Sequence, residues 1–319
     1  MRGAASSGSS RNTCAHADRR PWDTLRRVAA PDLTGIGVVD LMLGFPTPER
    51  GTYDFLKGQL HDKDSETLPM PAGYMFKNVP DRVAEGDEVD PVAVALAEMD
   101  KYGVAIALVG AHGEVAKRAL RDHPDRFAAS MEVDPNDITT AVRKIRAAYD
   151  EWDLKAVTTF PAGCNPQVPV SDRRYYPIYQ TCIDLDIPII SNAGIAGPRV
   201  PSACQDVMHF DQVCYDFPEL RIVMRHGAEP WEELAVKLML KYPGLYYMTS
   251  AFAPKYYPKA VVDYANTRGS DKVMYAGYYP MGLTLERIFS ELPNVPFRDH
   301  VWPLFLRENA MRVFKLSTS

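Results

Sequence analysis

The chain has 319 residues, 46% hydrophobic and 24% charged, a balance expected of a soluble globular protein with one sizeable core. Its 36 Lys and Arg against 41 Asp and Glu leave a net charge of −5, and no basic cluster offsets it, which argues against a nucleic-acid surface. No apolar run reaches the ~18 residues a membrane-spanning helix needs, so no membrane association is expected.

Residues 1–34 are rich in Ser, Ala and Arg and lack the apolar core of a secretory signal, which reads as a disordered leader or an over-called start codon. The five cysteines, Cys14, Cys164, Cys182, Cys204 and Cys214, form no CxxC pair and no zinc-type spacing. An odd number of them without an export signal points to free thiols in a reducing cytoplasm.

From residue 35 onward, short β-branched runs alternate with amphipathic helical stretches, the pattern of a parallel α/β sheet. Strands are predicted at 36–42, 104–109, 126–133, 154–159, 187–191, 220–225, 245–249 and 272–276, the number that closes a TIM (β/α)8 barrel. Helical stripes lie between them: Ile138, Ala141, Val142 and Ile145; Ile178, Cys182 and Leu185; Trp231, Leu234, Ala235 and Leu238; Leu285, Ile288, Phe289 and Leu292. Each buries one face against the barrel wall.

The stretch 44–91 breaks this rhythm. It is long, polar and proline-bearing, and carries Tyr53, Phe55, Leu56, Tyr74, Met75 and Phe76. After the first strand it would sit over the C-terminal mouth, as a lid or as a contact with a second copy or another protein. Residues 298–316 read as a closing helix, and the tyrosine pairs near Pro254 and Pro280 suggest an aromatic mouth.

Three segments carry a family resemblance. Phe217-Pro218-Glu219-Leu220-Arg221-Ile222-Val223-Met224-Arg225-His226-Gly227, Val273-Met274-Tyr275-Ala276-Gly277-Tyr278-Tyr279-Pro280 and Asn309-Ala310-Met311-Arg312-Val313-Phe314 resemble the sixth strand, eighth strand and terminal helix of the amidohydrolase-related family. This branch of metal-dependent TIM-barrel hydrolases includes aminocarboxymuconate-semialdehyde decarboxylase. The resemblance spans residues 35–316 and implies hydrolysis or decarboxylation of a small organic substrate, in proteins that are often dimers.

In that family the first strand ends Asp-x-His-x-His, the fifth carries a histidine before x-Gly, and the eighth carries an aspartate; these bind zinc or manganese. Here Asp40 survives, but Met42 and Gly44 fill the two histidine positions, Asn192 the third and Tyr278 that of the aspartate. A thioether and bare backbone are poor ligands for such an ion, and an amide is a poor substitute for imidazole. The implied metal and cofactor are therefore expected to be absent. Of the scattered histidines only His112, after strand two, is placed to reach the mouth.

His226 matches the family's acid/base histidine. Acting without metal, it would move a proton, with Asp40 orienting it or sharing that proton, and Tyr278 donating to a developing oxyanion. Asn192 would hold a substrate carbonyl and Met42 would line the pocket. Arg225, Lys155 and Arg199 are candidate carboxylate anchors, with Arg225 and Lys155 alternatively facing the helix layer. Each position has a plainer reading. His226 is then a histidine capped by backbone, Asp40 fixes the strand-one turn, Tyr278 and Met42 fill the metal's void, and Asn192 bonds its neighbours. Two functions follow: a metal-independent hydrolase or carboxy-lyase for a small carboxylated or aromatic substrate, or an inactive barrel assisting another enzyme.

Overall fold

The computed structural model describes residues 31, 33–47, 53–68, 70–76 and 89–317, so most of the expected leader lies outside the described residues. The β-branched runs form strands β1 (Val38–Asp40), β2 (Val104–Gly110), β3 (Phe127–Glu132), β4 (Ala156–Thr159), β5 (Ile189–Asn192), β6 (Ile222–Arg225), β7 (Leu245–Met248) and β8 (Val273–Met274). Each overlaps its predicted run. They pair in parallel, in chain order, as one 8-stranded sheet. Helices return the chain between them, as the periodic stripes require: α3 (Pro91–Lys101), α4 (Gly113–Asp122), α5 (Ile138–Trp152), α6 (Tyr176–Asp184), α7 (Met208–Asp216), α8 (Glu232–Lys241) and α9 (Lys259–Ala265), with α10 (Leu285–Glu291) after β8. The fold is an α/β TIM barrel. Among the described residues between β1 and α3 lie two short α-helices, α1 (Asp54–Lys57) and α2 (Lys63–Thr67), and a 3-10 turn at Gly73–Met75.

Strand side chains alternate with period two. Val38, Ala107, Val157, Ile189 and Ile222 face the helices in the larger core. Val39, Ile106, Ala156, Ile190 and Val223 fill the barrel interior, with Ala310, Val313 and Phe314 joining them. The same parity carries polar residues at the C-terminal ends of four neighbouring strands to the inside: Glu132, Thr158, Asn192 and Arg225 line the mouth.

Among the described residues no ladder pairs β1 with β8; beyond their ends Leu43 and Tyr279 form an isolated parallel bridge. Asp40, fully buried, spans the seam instead. Its Oδ1 accepts from the Gly277 N–H at 2.8 Å and from the Met42 N–H at 2.9 Å. Gly277 is required here, because a Cβ would stand 2.4 Å from Asp40 Oδ2 and 3.1 Å from the Tyr275 hydroxyl. Those two buried oxygens face this notch without a hydrogen bond of ordinary geometry.

The C-terminal segment completes the closure. It runs as α11 (Val301–Pro303), a π-turn (Leu304–Glu308) and α12 (Asn309–Val313). The Phe305 carbonyl accepts from Tyr275 N–H at 2.9 Å, Asn309 Nδ2 donates to the Ser270 and Val273 carbonyls at 2.7 and 2.9 Å, and Arg307 donates to the Gly37 carbonyl. The closing helix expected over 298–316 is thus present, and it knits the edges of β1 and β8 together.

Burial pushes the Asp40 carboxyl above the usual carboxylate range, against the two backbone N–H groups that pull it down. Asp40→Ala leaves both N–H groups without their acceptor and is expected to cost about 2–5 kcal/mol. Asp40→Asn keeps an acceptor and removes the buried charge, so it should melt at or above wild type near neutrality. A raised folded-state pKa means the wild-type advantage is full below the unfolded value and declines as pH rises through the folded one. Melting curves across pH for both variants check this.

Candidate functional site

A cavity of about 940 Å³ opens at the C-terminal ends of the strands. Its wall is largely apolar, built from Leu41, Leu108, Ile190 and Leu283 with Phe45 and Phe160. The described parts of the stretch 44–91 cover it: Tyr53, Leu56, Met70 and Phe76 line the cavity, while Leu56 and Leu60 pack on Ala162, Ala196 and Val200. Polar contacts fasten this cover. Gln59 Nε2 donates to the Gly163 carbonyl at 2.9 Å and the Tyr74 hydroxyl to the Gly197 carbonyl at 2.7 Å. Arg199 pairs with Asp62, the N-cap of α2, and lies over the Tyr74 ring at 4.5 Å. Arg199 thus holds the cover rather than lining the cavity. Phe55, Tyr74 and Met75 remain exposed on it.

Arg225 ends β6 and faces inward, correcting the alternative that turned it toward the helices. It is buried; its Nε donates to Asn192 Oδ1 on β5, and Nη2 lies 3.6 Å from Glu132 Oε2 on β3. Burial works against its charge and Glu132 works in favour of it. Asn192 therefore bonds a neighbour while lining the cavity. Lys155 pairs instead with Asp153 at 2.7 Å and does not reach the mouth.

His226 follows Arg225 in a left-handed conformation, φ 70°, that carries its ring into the cavity. Its backbone N–H donates to Ser250 Oγ at 3.2 Å, and the same hydroxyl lies 3.0 Å from Nδ1. A hydroxyl oxygen has two lone pairs, so it can accept from Nδ1–H as well as from the backbone, and in that tautomer the unprotonated Nε2 is the nitrogen left for the cavity. The cap is a serine hydroxyl, where a backbone carbonyl was the plainer expectation. Burial, reinforced by the Arg225 charge, lowers the imidazole pKa from 6.5 to about 3. Gly194 is required where the β5 and β6 loops touch, since with φ 92° a Cβ would stand 2.6 Å from the Glu229 carbonyl.

Tyr278 also lines the cavity, at φ 130°, outside the conformations a tyrosine normally adopts. Its ring stands edge-on to His226 at 5.4 Å and stacks on Phe76 at 5.9 Å. Met42 and His112 line the same space. Asp40 does not. It lies at the seam with Oδ1 committed to two backbone donors, so the structure brings together His226, Tyr278, Asn192, Met42 and Arg225 and leaves Asp40 outside.

Glu132, Ser250, Lys255 and Arg287 were not among the predicted site residues. Inward parity with Ser130 would have flagged Glu132; Ser250 had no local signal, standing 24 positions from its partner. At the positions where the family resemblance places metal ligands stand Met42, Gly44, Asn192 and Tyr278, and the described residues contain no group of three or more His, Cys, Asp or Glu able to hold an ion. This donor set does not fit zinc or manganese.

An eight-stranded barrel with an inward polar layer and a covered C-terminal mouth is the architecture of a TIM-barrel enzyme. The sequence pattern of the amidohydrolase family matches residues 46–316, and the chain belongs to that family. Among solved structures it is similar to an uncharacterised TIM-barrel protein from Bordetella bronchiseptica (TM-score 0.69, 20% identity, 87% of this chain and 98% of that one). It is also similar to 5-carboxyvanillate decarboxylase from Novosphingobium aromaticivorans complexed with manganese and a hydroxymethoxynitrobenzoic acid (TM-score 0.60, 16% identity, 88% and 97% coverage). A curated relative, 2-keto-4-carboxy-3-hexenedioate hydratase of Sphingobium sp., is 22% identical over 183 residues, 52% of this chain and 54% of that protein, so the chain spans about half of its length. No helix among the described residues is long and apolar enough to cross a membrane.

A depressed imidazole pKa predicts a specific acid limb. The unfolded chain takes up a proton near 6.5 that the folded chain refuses until about 3, so this group's contribution is full above 6.5 and is lost as pH falls toward 3. The His226 ring is expected to stay neutral by NMR at mildly acidic pH. His226→Gln should flatten the loss of stability on acidification; an imidazole titrating near its ordinary value would contradict the geometry.

Proposed function

We propose that this amidohydrolase-family protein is a metal-independent hydrolase or carboxy-lyase acting on a small carboxylated, aromatic substrate, with His226 as its acid/base. The observation that carries the reading is a desolvated cation, Arg225, ending inside an apolar-walled cavity directly beside a neutral imidazole. A buried guanidinium opposed by one carboxylate at 3.6 Å is a strong attractor for an anion that brings its own two oxygens. The apolar walls, with Phe45, Phe160 and Tyr278, suit a ring. The similar proteins named above, a 5-carboxyvanillate decarboxylase and a 2-keto-4-carboxy-3-hexenedioate hydratase, act on carboxylated compounds and agree with this class.

Substrate binding would itself arm the histidine. Arg225 is one of the two causes that hold His226 deprotonated, and a carboxylate laid on that guanidinium cancels its field. The imidazole then gains affinity for a proton at the moment a substrate is present. In a hydrolysis His226 takes the proton of the attacking water; in a carboxy-lyase reaction it returns a proton to the carbon that keeps the electron pair when carbon dioxide leaves. Ser250 holds the ring through Nδ1, and Tyr278 and Asn192 border the reacting groups.

The donor set at the four expected ligand positions, on three strand ends, supports independence from the divalent ion. The open cavity holding His226 favours catalysis over the alternative of an inactive accessory barrel, whose mouth would be filled. A small-molecule substrate is thus the proposed partner; the exposed Phe55, Tyr74 and Met75 on the cover are where a second copy or another protein would dock.

The test is turnover of a panel of hydroxylated and carboxylated aromatic acids by protein stripped with chelator. Wild type is expected to turn over at least one acid, and added zinc or manganese to leave the rate unchanged. His226→Gln should lower kcat by about 10²–10⁴-fold, and Arg225→Met should weaken carboxylate binding about ten-fold or more, both with melting points near wild type. Rates that require added metal, or that survive His226→Gln, would sink the reading.

A further inference from the structure

Three charged side chains line the cavity outside the layer that holds Arg225: Lys255, Arg287 and Glu229. Lys255 lies beyond β7 and Arg287 in the first turn of α10, so both belong to the wall opposite β3. One carboxylate, Glu291, which does not itself line the cavity, holds the two cations together. Arg287 Nε donates to its Oε1 at 3.2 Å, Lys255 Nζ stands 4.0 Å from the same oxygen, and the Lys255 backbone N–H donates to Oε2 at 3.5 Å. Two cations on one anion leave a surplus positive charge, in a chain whose net charge is −5. The lysine contact is loose and its side chain is half exposed, lying 4.9 Å over the Tyr256 ring, so it can turn to a ligand without breaking a tight pair. Glu229 forms no ion pair with either cation among the described residues, both of which turn to Glu291.

The cavity is therefore lined by two sets of cations on different elements, Arg225 where β6 ends and Lys255 with Arg287 beyond β7 and on α10. Its volume of about 940 Å³ lies at the upper end of the ~300–1,000 Å³ usual for small-ligand sites, more than a single ring with one carboxylate fills. We infer that the substrate carries a second acidic group, and that Lys255 and Arg287 bind it and set the preference for diacids over monoacids. This rests on the carboxylate role given to Arg225 above and extends it to the far end of the same ligand. Glu291 holds the pair in place of the ligand when the cavity is unliganded.

Titration calorimetry at fixed ionic strength with benzoate, isophthalate, terephthalate and biphenyl dicarboxylate provides the test. At least one diacid is expected to bind wild type about ten-fold tighter than benzoate, the gain of one added charge-assisted contact. The double variant Lys255→Gln with Arg287→Gln should bring that diacid to the benzoate level while leaving benzoate unchanged. Glu291→Gln, which removes the competing carboxylate, should tighten the diacid further. Diacids no tighter than benzoate on wild type overturn the inference, as does a double variant that weakens mono- and diacids alike, the signature of long-range steering. Benzoate binding abolished by Arg225→Met, with no gain for any diacid, leaves the carboxylate reading standing and removes this one. No binding by any acid removes both.

Discussion

Everything at the mouth depends on the barrel being held closed where its first and last strands meet, and the carboxylate of Asp40 does this. A regular ladder there would need backbone groups in register along both strands, but β8 is two residues long and β1 three. One side-chain oxygen taking two backbone N–H groups replaces that ladder at the point where β1 ends. Its cost is a buried, partly unsatisfied carboxyl facing a tyrosine hydroxyl, tolerated because position 277 carries no Cβ. Tyr278 follows directly, so the residue lining the cavity at a strained φ is positioned by the same bond that seals the sheet.

The chemistry of the cavity follows from how few charges the barrel interior can hold. Arg225 is kept ionised by a single loose carboxylate and an amide, and it suppresses protonation of the histidine next to it. The two groups are consequently coupled: whatever neutralises the first changes the second. A divalent ion in the usual family position would have supplied that control by its own charge. In this chain the corresponding positions hold a thioether, bare backbone, an amide and a phenol, and the guanidinium is the strongest fixed charge left beside the histidine.

Much of the fold could be read from the letters because it is local. Runs such as 187–191 and 220–225 announce strands by their β-branched content, and stripes such as Ile178, Cys182 and Leu185 announce helices. Part of the site was legible too. Val223 and Arg225 share a strand face, which puts the arginine inside wherever Val223 is inside, and the same argument reaches Glu132 from Ser130. Asp40 was not legible as a seam residue, since its principal partner stands 237 positions away and is a backbone N–H without a sequence signature. Ser250 escaped for the same reason, and so did the role of Glu291: it pairs locally with Arg287 at i,i+4, but only the folded barrel brings Lys255, 36 positions away, to the same carboxylate. Lys155 and Arg199 show the reverse failure. Their charge suggested an anchor, but carboxylates had already claimed them, the neighbouring Asp153 for Lys155 and Asp62, 137 positions away, for Arg199.

The C-terminal helix has a consequence for how the molecule is made. Strand β1 is synthesised well before the groups that join its edge to β8, Phe305, Arg307 and Asn309, since Arg307 stands 270 positions beyond its partner Gly37. Until those groups are made the growing sheet has two open edges, each a template for wrong pairing with another chain. The shortness of β1 and β8 limits that hazard, because strands of two or three residues offer a stranger very little to pair with. Sealing by a late helix and a single carboxylate thus lets the nascent barrel stay unclosed without becoming adhesive.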